Sequence, residues 1–227
     1  MQVTRVADAG ALAERGAALL AQAARTAVAE RGRCCLAVSG GSTPGAMLRA
    51  FARLVLPWER IHLFQVDERI APDGDPHRNW VQVQAAFAGA ATGVHLHAMP
   101  VTLADPEAAA KQYAETLAAV CGRPAVLDLV HLGLGADGHT ASLVPGDPAL
   151  AVTGADVTPT GPYQGCARLT LTYPMLARAR AILWVMAGAD KAPMLVRLLA
   201  GDPTIPAGRV PQDRAQVLAD AAAGDGL

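Results

Sequence analysis

The stretch HLGLGADGHTASLVPG, residues 131–146, combines a glycine-rich turn with an aspartate and a histidine. The part from Gly133 to Gly138 fits the G-x-G-x-x-G pattern of dinucleotide-binding loops. However, Asp137 would place a negative charge beside a pyrophosphate, and His139 would project into the space that the phosphates need. The glycines are better explained as bringing Asp137 and His139 close to a small substrate, with the imidazole as a general base. A histidine that only caps a helix is the remaining structural alternative.

A second stretch, SGGSTPGAML, follows an apolar run and is typical of a turn from a strand into a helix. Gly40 and Gly41 permit a tight turn, Thr43 can cap the helix, and Pro44 suits its first turn. Free backbone N–H groups at the helix start, beside the hydroxyls of Ser42 and Thr43, indicate a phosphate site. The G-K-[ST] of a nucleotide P-loop is missing. An ordinary capped turn is the alternative.

Charged residues stand next to three further apolar runs. Asp67, Glu68 and Arg69 directly follow IHLFQV, Arg168 begins RLTLT, and Lys191 ends AGADK. An acid beside an arginine at the end of a strand can orient a polar substrate group, although a solvated turn would look the same. Arg168 and Lys191 would complete the phosphate site if all these residues lie on the carboxyl-end rim of one sheet. Otherwise they are surface charges.

The elements that must position these residues alternate along the chain. Apolar runs predict strands over residues 34–39, 61–66, 126–132, 168–172 and 181–187. Helical patterns predict helices over residues 11–30, 44–54, 79–88, 106–121, 174–180 and 190–200. Such alternation predicts an α/β fold, a mostly parallel sheet with helices on both faces, in a single domain over residues 1–227. Ligands bind such sheets beyond the carboxyl ends of the strands.

Composition limits the possible partners and the cellular address. The 227 residues are 52% hydrophobic and 17% charged, with a net charge of −1, so nucleic acid is not expected as a partner. The four cysteines form no C-x-x-C pair, which favours buried thiols in a reducing compartment. Because neither a signal peptide nor an apolar stretch of about 18 residues is evident, we expect no membrane association and a cytoplasmic location.

His95 and His97 have the H-x-H spacing that puts two side chains on one face of a strand, where they could hold a metal. No cysteine or carboxylate stands near them in the sequence, so a half-exposed strand is the better explanation. We therefore expect no required metal.

Taken together, the motifs point to a known family. SGGSTP, DER with Asn79 after it, GLGADGHTASLVPG, RLTLT and GADK occur in the order and approximate spacing of the 6-phosphogluconolactonases. The chain resembles that family over essentially its whole length. The resemblance implies a modified Rossmann-like fold, shared with the glucosamine-6-phosphate deaminases. It also implies hydrolysis of 6-phospho-D-glucono-1,5-lactone to 6-phospho-D-gluconate, a small sugar phosphate, in the pentose phosphate pathway.

The resemblance also implies roles for individual residues. His139 would be the base that activates water, with Asp137 supporting it, while Asp67 and Arg69 would face the sugar ring. From its position alone, Arg69 is the candidate for stabilising the oxyanion. The phosphate would be held by Gly40, Gly41, Ser42, Thr43, Arg168 and Lys191. Because a lactone is an activated ester, neither a cofactor nor a covalent nucleophile is expected.

Two departures from related sequences bear on the alternatives. The related deaminases carry a carboxylate just before the proline of the D-G-H loop, whereas this chain has Val144 before Pro145. This difference counts against a glucosamine-6-phosphate deaminase/isomerase. Arg78 stands where many lactonases have serine, in a loop expected near the substrate. A non-catalytic sugar-phosphate sensor is the third possibility, and either a monomer or a small homo-oligomer fits the sequence.

Overall fold

The computed structural model describes residues 1–225, within which the chain forms ten strands and six α-helices. The strands are β1 (Gln2–Val6), β2 (Cys34–Val38), β3 (Ile61–Gln65), β4 (Asp67–Arg69), β5 (His95–His97), β6 (Leu129–Leu132), β7 (Val157–Pro159), β8 (Arg168–Leu171), β9 (Ile182–Met186) and β10 (Ala215–Asp220). The helices are α1 (Ala9–Arg31), α2 (Ser42–Ala52), α3 (Asn79–Phe87), α4 (Pro106–Cys121), α5 (Tyr173–Ala177) and α6 (Ala192–Leu199). Short 3-10 helices include Trp58–Arg60 and Ala189–Lys191.

Seven strands form a parallel sheet in the order β1-β10-β9-β6-β2-β3-β5. Helices α1, α2 and α3 pack on one face, and α4, α5 and α6 pack on the other. The prediction of a mostly parallel sheet covered on both faces is confirmed. Strand β2 shows why its sequence is apolar throughout, since Leu36 and Val38 pack towards α1 and α2 while Cys35 and Ala37 pack towards α4.

The five predicted strands and six predicted helices are present, all but one with shifted boundaries. Helix α4 has the predicted limits, and the Asp105 carboxylate accepts a hydrogen bond from the Glu107 N–H at 2.9 Å. Strand β6 begins three residues later than predicted, directly after Asp128, which donates its N–H to Cys35 O and accepts the Cys35 N–H through its side chain. The predicted cap at Thr43 is wrong, since α2 begins at Ser42 and has Gly41 in the N-cap position.

The strand that begins at Arg168 does not belong to the parallel sheet, contrary to the sequence prediction. It pairs antiparallel with β4 and β7 in a separate three-stranded sheet. The chain leaves the main sheet at Val66, whose N–H donates to Val38 O while its carbonyl accepts from the Leu171 N–H. The small sheet therefore continues from the carboxyl end of β3.

Candidate active site

The carboxyl ends of β2, β3, β6 and β9 meet at a cavity of about 280 Å³. These strands are neighbours in the sheet, so the segments that follow them are brought together although they are far apart in sequence. Every predicted site residue except Asp137 lines this cavity: Gly40, Gly41, Ser42, Thr43, Asp67, Arg69, His139, Arg168 and Lys191. Asp137 instead contacts Nδ1 of His139. The predicted convergence of the loop that carries His139, residues 133–139, and of the predicted phosphate loop, residues 39–44, is therefore present in the structure.

The loop after β2 offers backbone donors to the cavity. Within residues 1–225 the N–H groups of Ser42 and Thr43 have no hydrogen-bond acceptor, as expected for the first turn of a helix. The N–H of Gly41 is already used, since it donates to Gln82 Oε1 at 2.9 Å. Gln82 was not singled out in the sequence, because a glutamine inside a helix carries no recognisable signal. Free backbone N–H donors at the start of a helix form a site that suits a phosphate group.

Gly40 is required for a close contact between two parts of the site. A Cβ atom at this position would lie 2.2 Å from Oδ1 of Asn79, so any side chain would displace the asparagine. Asn79 in turn donates to Oδ1 of Asp67 at 3.3 Å. The glycine thus lets the phosphate loop pack directly against the residues that hold the Asp67 carboxylate.

Lys191 approaches the cavity from the turn that follows β9. It stands at the N-cap position of α6, and its Nζ lies 2.8 Å from Oδ2 of Asp190. Its side chain keeps 26% of its surface exposed, so the ammonium group is accessible to a ligand. Lys191 is placed as the sequence predicted, on the rim of the main sheet.

Strands β4 and β8 give the cavity two arginines on one face of an antiparallel ladder. Arg69 is directly opposite Arg168, and Asp67 is directly opposite Thr170. Because side chains alternate along a strand, Asp67 and Arg69 point to the same side. Like charges directly opposite one another are unfavourable in a sheet. A bound anion would reduce this repulsion, so the paired arginines indicate a negatively charged ligand.

The Asp67 carboxylate is buried and held by several donors. Oδ2 accepts from the Ser142 hydroxyl at 2.6 Å and lies 3.9 Å from Nη1 of Arg168, while Oδ1 accepts from Asn79. Ser142 is itself buried, and its hydroxyl is committed to Asp67. The sequence analysis missed this supporting role of Ser142.

Arg78 does not line the cavity. Its side chain is buried, with Nη1 2.8 Å from Oδ1 of Asp73 and Nε 3.7 Å from Oε2 of Glu68. The fully buried Glu68 carboxylate also accepts the N–H groups of Asn79 and Trp80, which fixes the start of α3. Arg78 therefore holds the loop between β4 and α3 in place.

Asp137 and His139 form a tight pair at the end of the loop after β6. Oδ1 of Asp137 lies 2.5 Å from Nδ1 of His139 and accepts the His139 backbone N–H at 3.1 Å. With Nδ1 engaged by the carboxylate, Nε2 is the nitrogen left for a ligand. A Cβ at Gly135 would lie 2.0 Å from Nδ1, so only glycine allows this imidazole position.

The ionisation of Asp137 is set by opposing effects. Partial burial raises the pKa of its carboxyl group, but hydrogen bonds from the His139 backbone and imidazole and from the Tyr163 hydroxyl outweigh burial. The net pKa is lower than usual, so the carboxylate stays charged. Tyr163 lies between β7 and β8, and nothing in the sequence indicates its contact with Asp137.

His95 and His97 lie in β5, where their rings share one face with His62 of β3. His62 Nδ1 is 3.1 Å from His97 Nε2, and burial together with His95 and His97 lowers the His62 pKa to about 4. In the part of the chain that the structure describes, no group of three or more His, Cys, Asp or Glu side chains is arranged to hold a metal ion.

None of the helices formed by residues 1–225 combines the length and the apolar character needed to cross a membrane.

A parallel α/β sheet with a cationic cavity and a histidine–aspartate pair at its carboxyl end defines a class of proteins that act on small anionic molecules. The chain belongs to the family described as glucosamine-6-phosphate isomerases/6-phosphogluconolactonase, whose model matches residues 7–219.

Individual relatives of the chain are 6-phosphogluconolactonases. A 6-phosphogluconolactonase from Synechocystis sp. is 40% identical over 195 residues, covering 83% of this chain and 81% of the relative. A 6-phosphogluconolactonase from Nostoc sp. is 36% identical and covers 96% and 94% of the two chains.

Solved structures support the same fold. The crystal structure of a 6-phosphogluconolactonase from Shewanella baltica has a TM-score of 0.88 and 26% identity, covering 97% of this chain and 98% of the other. A monomeric glucosamine-6-phosphate deaminase, 21% identical with a TM-score of 0.80 and 98% coverage of each chain, shares the fold.

Proposed function

We propose that this chain hydrolyses 6-phospho-D-glucono-1,5-lactone to 6-phospho-D-gluconate in the oxidative pentose phosphate pathway. One observation carries the proposal: His139 and the phosphate loop line the same cavity of about 280 Å³, so a single sugar phosphate is proposed to contact both. The names of the relatives from Synechocystis sp. and Nostoc sp. support the same reaction.

The phosphate is proposed to bind at the start of α2. The N–H groups of Ser42 and Thr43 supply donors, and Lys191 and Arg168 supply positive charge from neighbouring segments of the same cavity. A dianion bound there would also reduce the repulsion between Arg168 and Arg69.

Water activation is proposed for His139. Asp137 holds Nδ1, so Nε2 accepts the proton as water attacks the lactone carbonyl carbon. The imidazolium then returns the proton to the ring oxygen as the bond from the carbonyl carbon to that oxygen breaks. The products are the carboxylic acid, which ionises, and the freed hydroxyl.

Two residues of β4 are proposed to act on the sugar. Arg69 lines the cavity, with its guanidinium held by the carbonyl of His77 and, at 3.4 Å, by Oδ1 of Asn79. It is the candidate for stabilising the oxyanion that forms at the carbonyl oxygen. The fixed carboxylate of Asp67 is proposed to accept hydrogen bonds from hydroxyl groups of the sugar ring.

The position before Pro145 argues against deaminase chemistry. Val144 is buried there and offers no side-chain proton acceptor. His139 is instead paired with Asp137 on its own loop. A single base supported by one carboxylate is sufficient for lactone hydrolysis, which needs no carbon–hydrogen bond to break.

The test is the rate at which purified protein consumes 6-phosphogluconolactone near neutral pH, corrected for spontaneous hydrolysis. Turnover well above the background rate is expected. Ammonia release from glucosamine 6-phosphate without lactone turnover would indicate the deaminase. Binding of 6-phosphogluconate with neither reaction would indicate a sensor.

A further inference from the structure

Tyr163 lies beside the His139 pair on a tight turn between β7 and β8. The backbones of Tyr163 and Cys166 exchange hydrogen bonds of 3.0 and 3.3 Å. The two residues between them, Gln164 and Gly165, both have positive φ, at 52° and 79°. This is the pattern of a type I′ hairpin turn, so Tyr163 is held by a defined turn.

The Tyr163 side chain contacts both members of the pair. Its hydroxyl donates to Oδ2 of Asp137 at 3.0 Å, while Oδ1 of the same carboxylate is engaged by His139. The Tyr163 and His139 rings meet edge to face, with centroids 5.2 Å apart. Both carboxylate oxygens of Asp137 therefore accept hydrogen bonds, and the Tyr163 ring packs against the imidazole.

The same tyrosine ring reaches a cation of the cavity. The guanidinium carbon of Arg168 lies 5.2 Å from the Tyr163 ring centroid, within the range of a cation–π contact. Tyr163 itself is not among the residues that line the cavity. It is thus placed to act on substrate only through Asp137, His139 and Arg168.

We propose that Tyr163 is a positioning residue that holds the Asp137 carboxylate and the His139 ring so that Nε2 faces the lactone carbonyl. This inference rests on the proposed hydrolase function. A hydrogen bond at each oxygen fixes the plane of the carboxylate, and the edge-to-face contact limits rotation of the imidazole. Catalytic groups must be held to within a fraction of an ångström, so loss of either contact slows the reaction.

The protonation of Tyr163 agrees with this role. Partial burial and the hydrogen bond to Asp137 raise the pKa of the Tyr163 hydroxyl above its usual value. The hydroxyl therefore keeps its proton at neutral pH and remains a donor.

The experiment compares Tyr163→Phe and Tyr163→Ala with a matched control, Tyr173→Phe. Tyr173 also donates one hydrogen bond, to Pro206 O at 2.9 Å, and also has an arginine over its ring, with Arg209 at 4.5 Å. It does not line the cavity. The control thus removes an equivalent hydroxyl elsewhere in the protein.

We expect Tyr163→Phe to lower kcat about 3- to 10-fold with KM within about twofold, because one hydrogen bond is lost. Tyr163→Ala should lower kcat about tenfold further, since the ring contact is also lost.

A kcat for Tyr163→Phe within twofold of the wild type would overturn the proposal. So would an equal fall in kcat for Tyr173→Phe, since that indicates a general structural effect. Proton NMR of the His139 Nδ1–H gives a readout that needs no turnover.

That proton should resonate downfield in the wild type, broaden in Tyr163→Phe and remain sharp in Tyr173→Phe. If the wild type does not hydrolyse the lactone, the proposed function fails and the NMR result alone decides the role of Tyr163. An identical signal in Tyr163→Phe and the wild type would refute that role.

Discussion

The two ends of the parallel sheet each carry a charged cavity, but within residues 1–225 the two cavities differ in how far their polar groups are already paired with one another. At the amino end, a cavity of about 590 Å³ is lined by Arg31, Arg180 and Arg214 together with Asp128. Arg31 and Arg180 lie 2.9 and 3.5 Å from Oδ1 of Asp128. The Nε of Arg214 lies 3.0 Å from Oδ2 of the neighbouring Asp213.

The cavity at the carboxyl end is smaller, at about 280 Å³. There Arg69 and Arg168 face each other across a ladder, and the N–H groups of Ser42 and Thr43 have no acceptor within residues 1–225. Cavity volume therefore does not identify the site in this protein. Polar groups left without a protein partner do, because a ligand can satisfy them.

Replacing His139 should have the largest effect on kcat. A small effect would mean that the two cavities do not differ in function. His139→Ala is expected to lower kcat about 10²- to 10⁴-fold, because the proposed base is removed. His95→Ala, at the exposed position of β5, is the control and should keep full activity. Lactone consumption by purified variants is the measurement. A kcat for His139→Ala within about threefold of wild type would contradict the base assignment.

The two cavities can be compared directly by replacing one arginine in each. Arg168→Ala should lower kcat/KM about 10- to 100-fold, since a charge-assisted contact to the substrate is lost. Arg180→Ala removes an arginine that contacts Asp128 at the opposite end and should change kcat/KM less than twofold. Steady-state kinetics on both variants decides the matter. Similar losses in the two would mean that the amino-end cavity also serves the reaction.

The sequence was sufficient to predict β2, β3, β6 and β9 of the main sheet and nine of the residues that line the cavity, but not β1 and β10. Residues that follow parallel strands, such as His139 and Lys191, could be placed because strand ends share an edge. Partners that act from another element could not. Ser142 and Gln82 are connected to Asp67 and Gly41 only by tertiary packing, and no spacing in the sequence records it.

The antiparallel sheet was missed for a related reason. Strand β4 has three residues and its sequence, Asp67–Arg69, is fully charged, so it shows no apolar alternation. Its pairing with Arg168–Leu171 depends on the chain leaving the main sheet at Val66. The prediction that Arg168 lies near the phosphate loop was correct. The prediction that it lies on the rim of the main sheet was wrong, because β8 belongs to the antiparallel sheet.

Asp128 should matter for stability where the residues of the cavity matter for rate. Its Oδ2 accepts the Cys35 N–H at 2.8 Å, and its Oδ1 accepts from Arg31. Asp128→Asn weakens these charge-assisted bonds and should lower the free energy of unfolding by about 1–3 kcal/mol. Urea denaturation measures this change. The kcat should stay unchanged. A loss of activity without a loss of stability would show that Asp128 serves the reaction and not the stability of the fold.

His131 lies in β6 between the two ends and should give stability a pH dependence. Burial lowers the pKa of its imidazole from 6.5 to about 3, so the folded protein keeps it neutral. The unfolded chain binds a proton below about pH 6.5, which favours unfolding as the pH falls from there towards 3.

At pH 5 this effect should cost about 1–2 kcal/mol relative to pH 7. In His131→Gln, which has no group titrating in this range, the free energy of unfolding should fall less over the same interval. Equal declines in the two proteins would show that His131 is not responsible.

The pairing of β1 with β10 has a consequence for synthesis of the chain. Within residues 1–225, strand Gln2–Val6 pairs only with Ala215–Asp220, the strand that also links it to β9. At ribosomal rates of about 5–20 residues per second, roughly 10–40 s pass between the emergence of the two strands. Until then only the part of the apolar face of α1 that packs against α2 and β2 can be covered, and the part that packs against β10 stays exposed. The sheet beyond β9 therefore cannot close until residues 215–220 have left the ribosome.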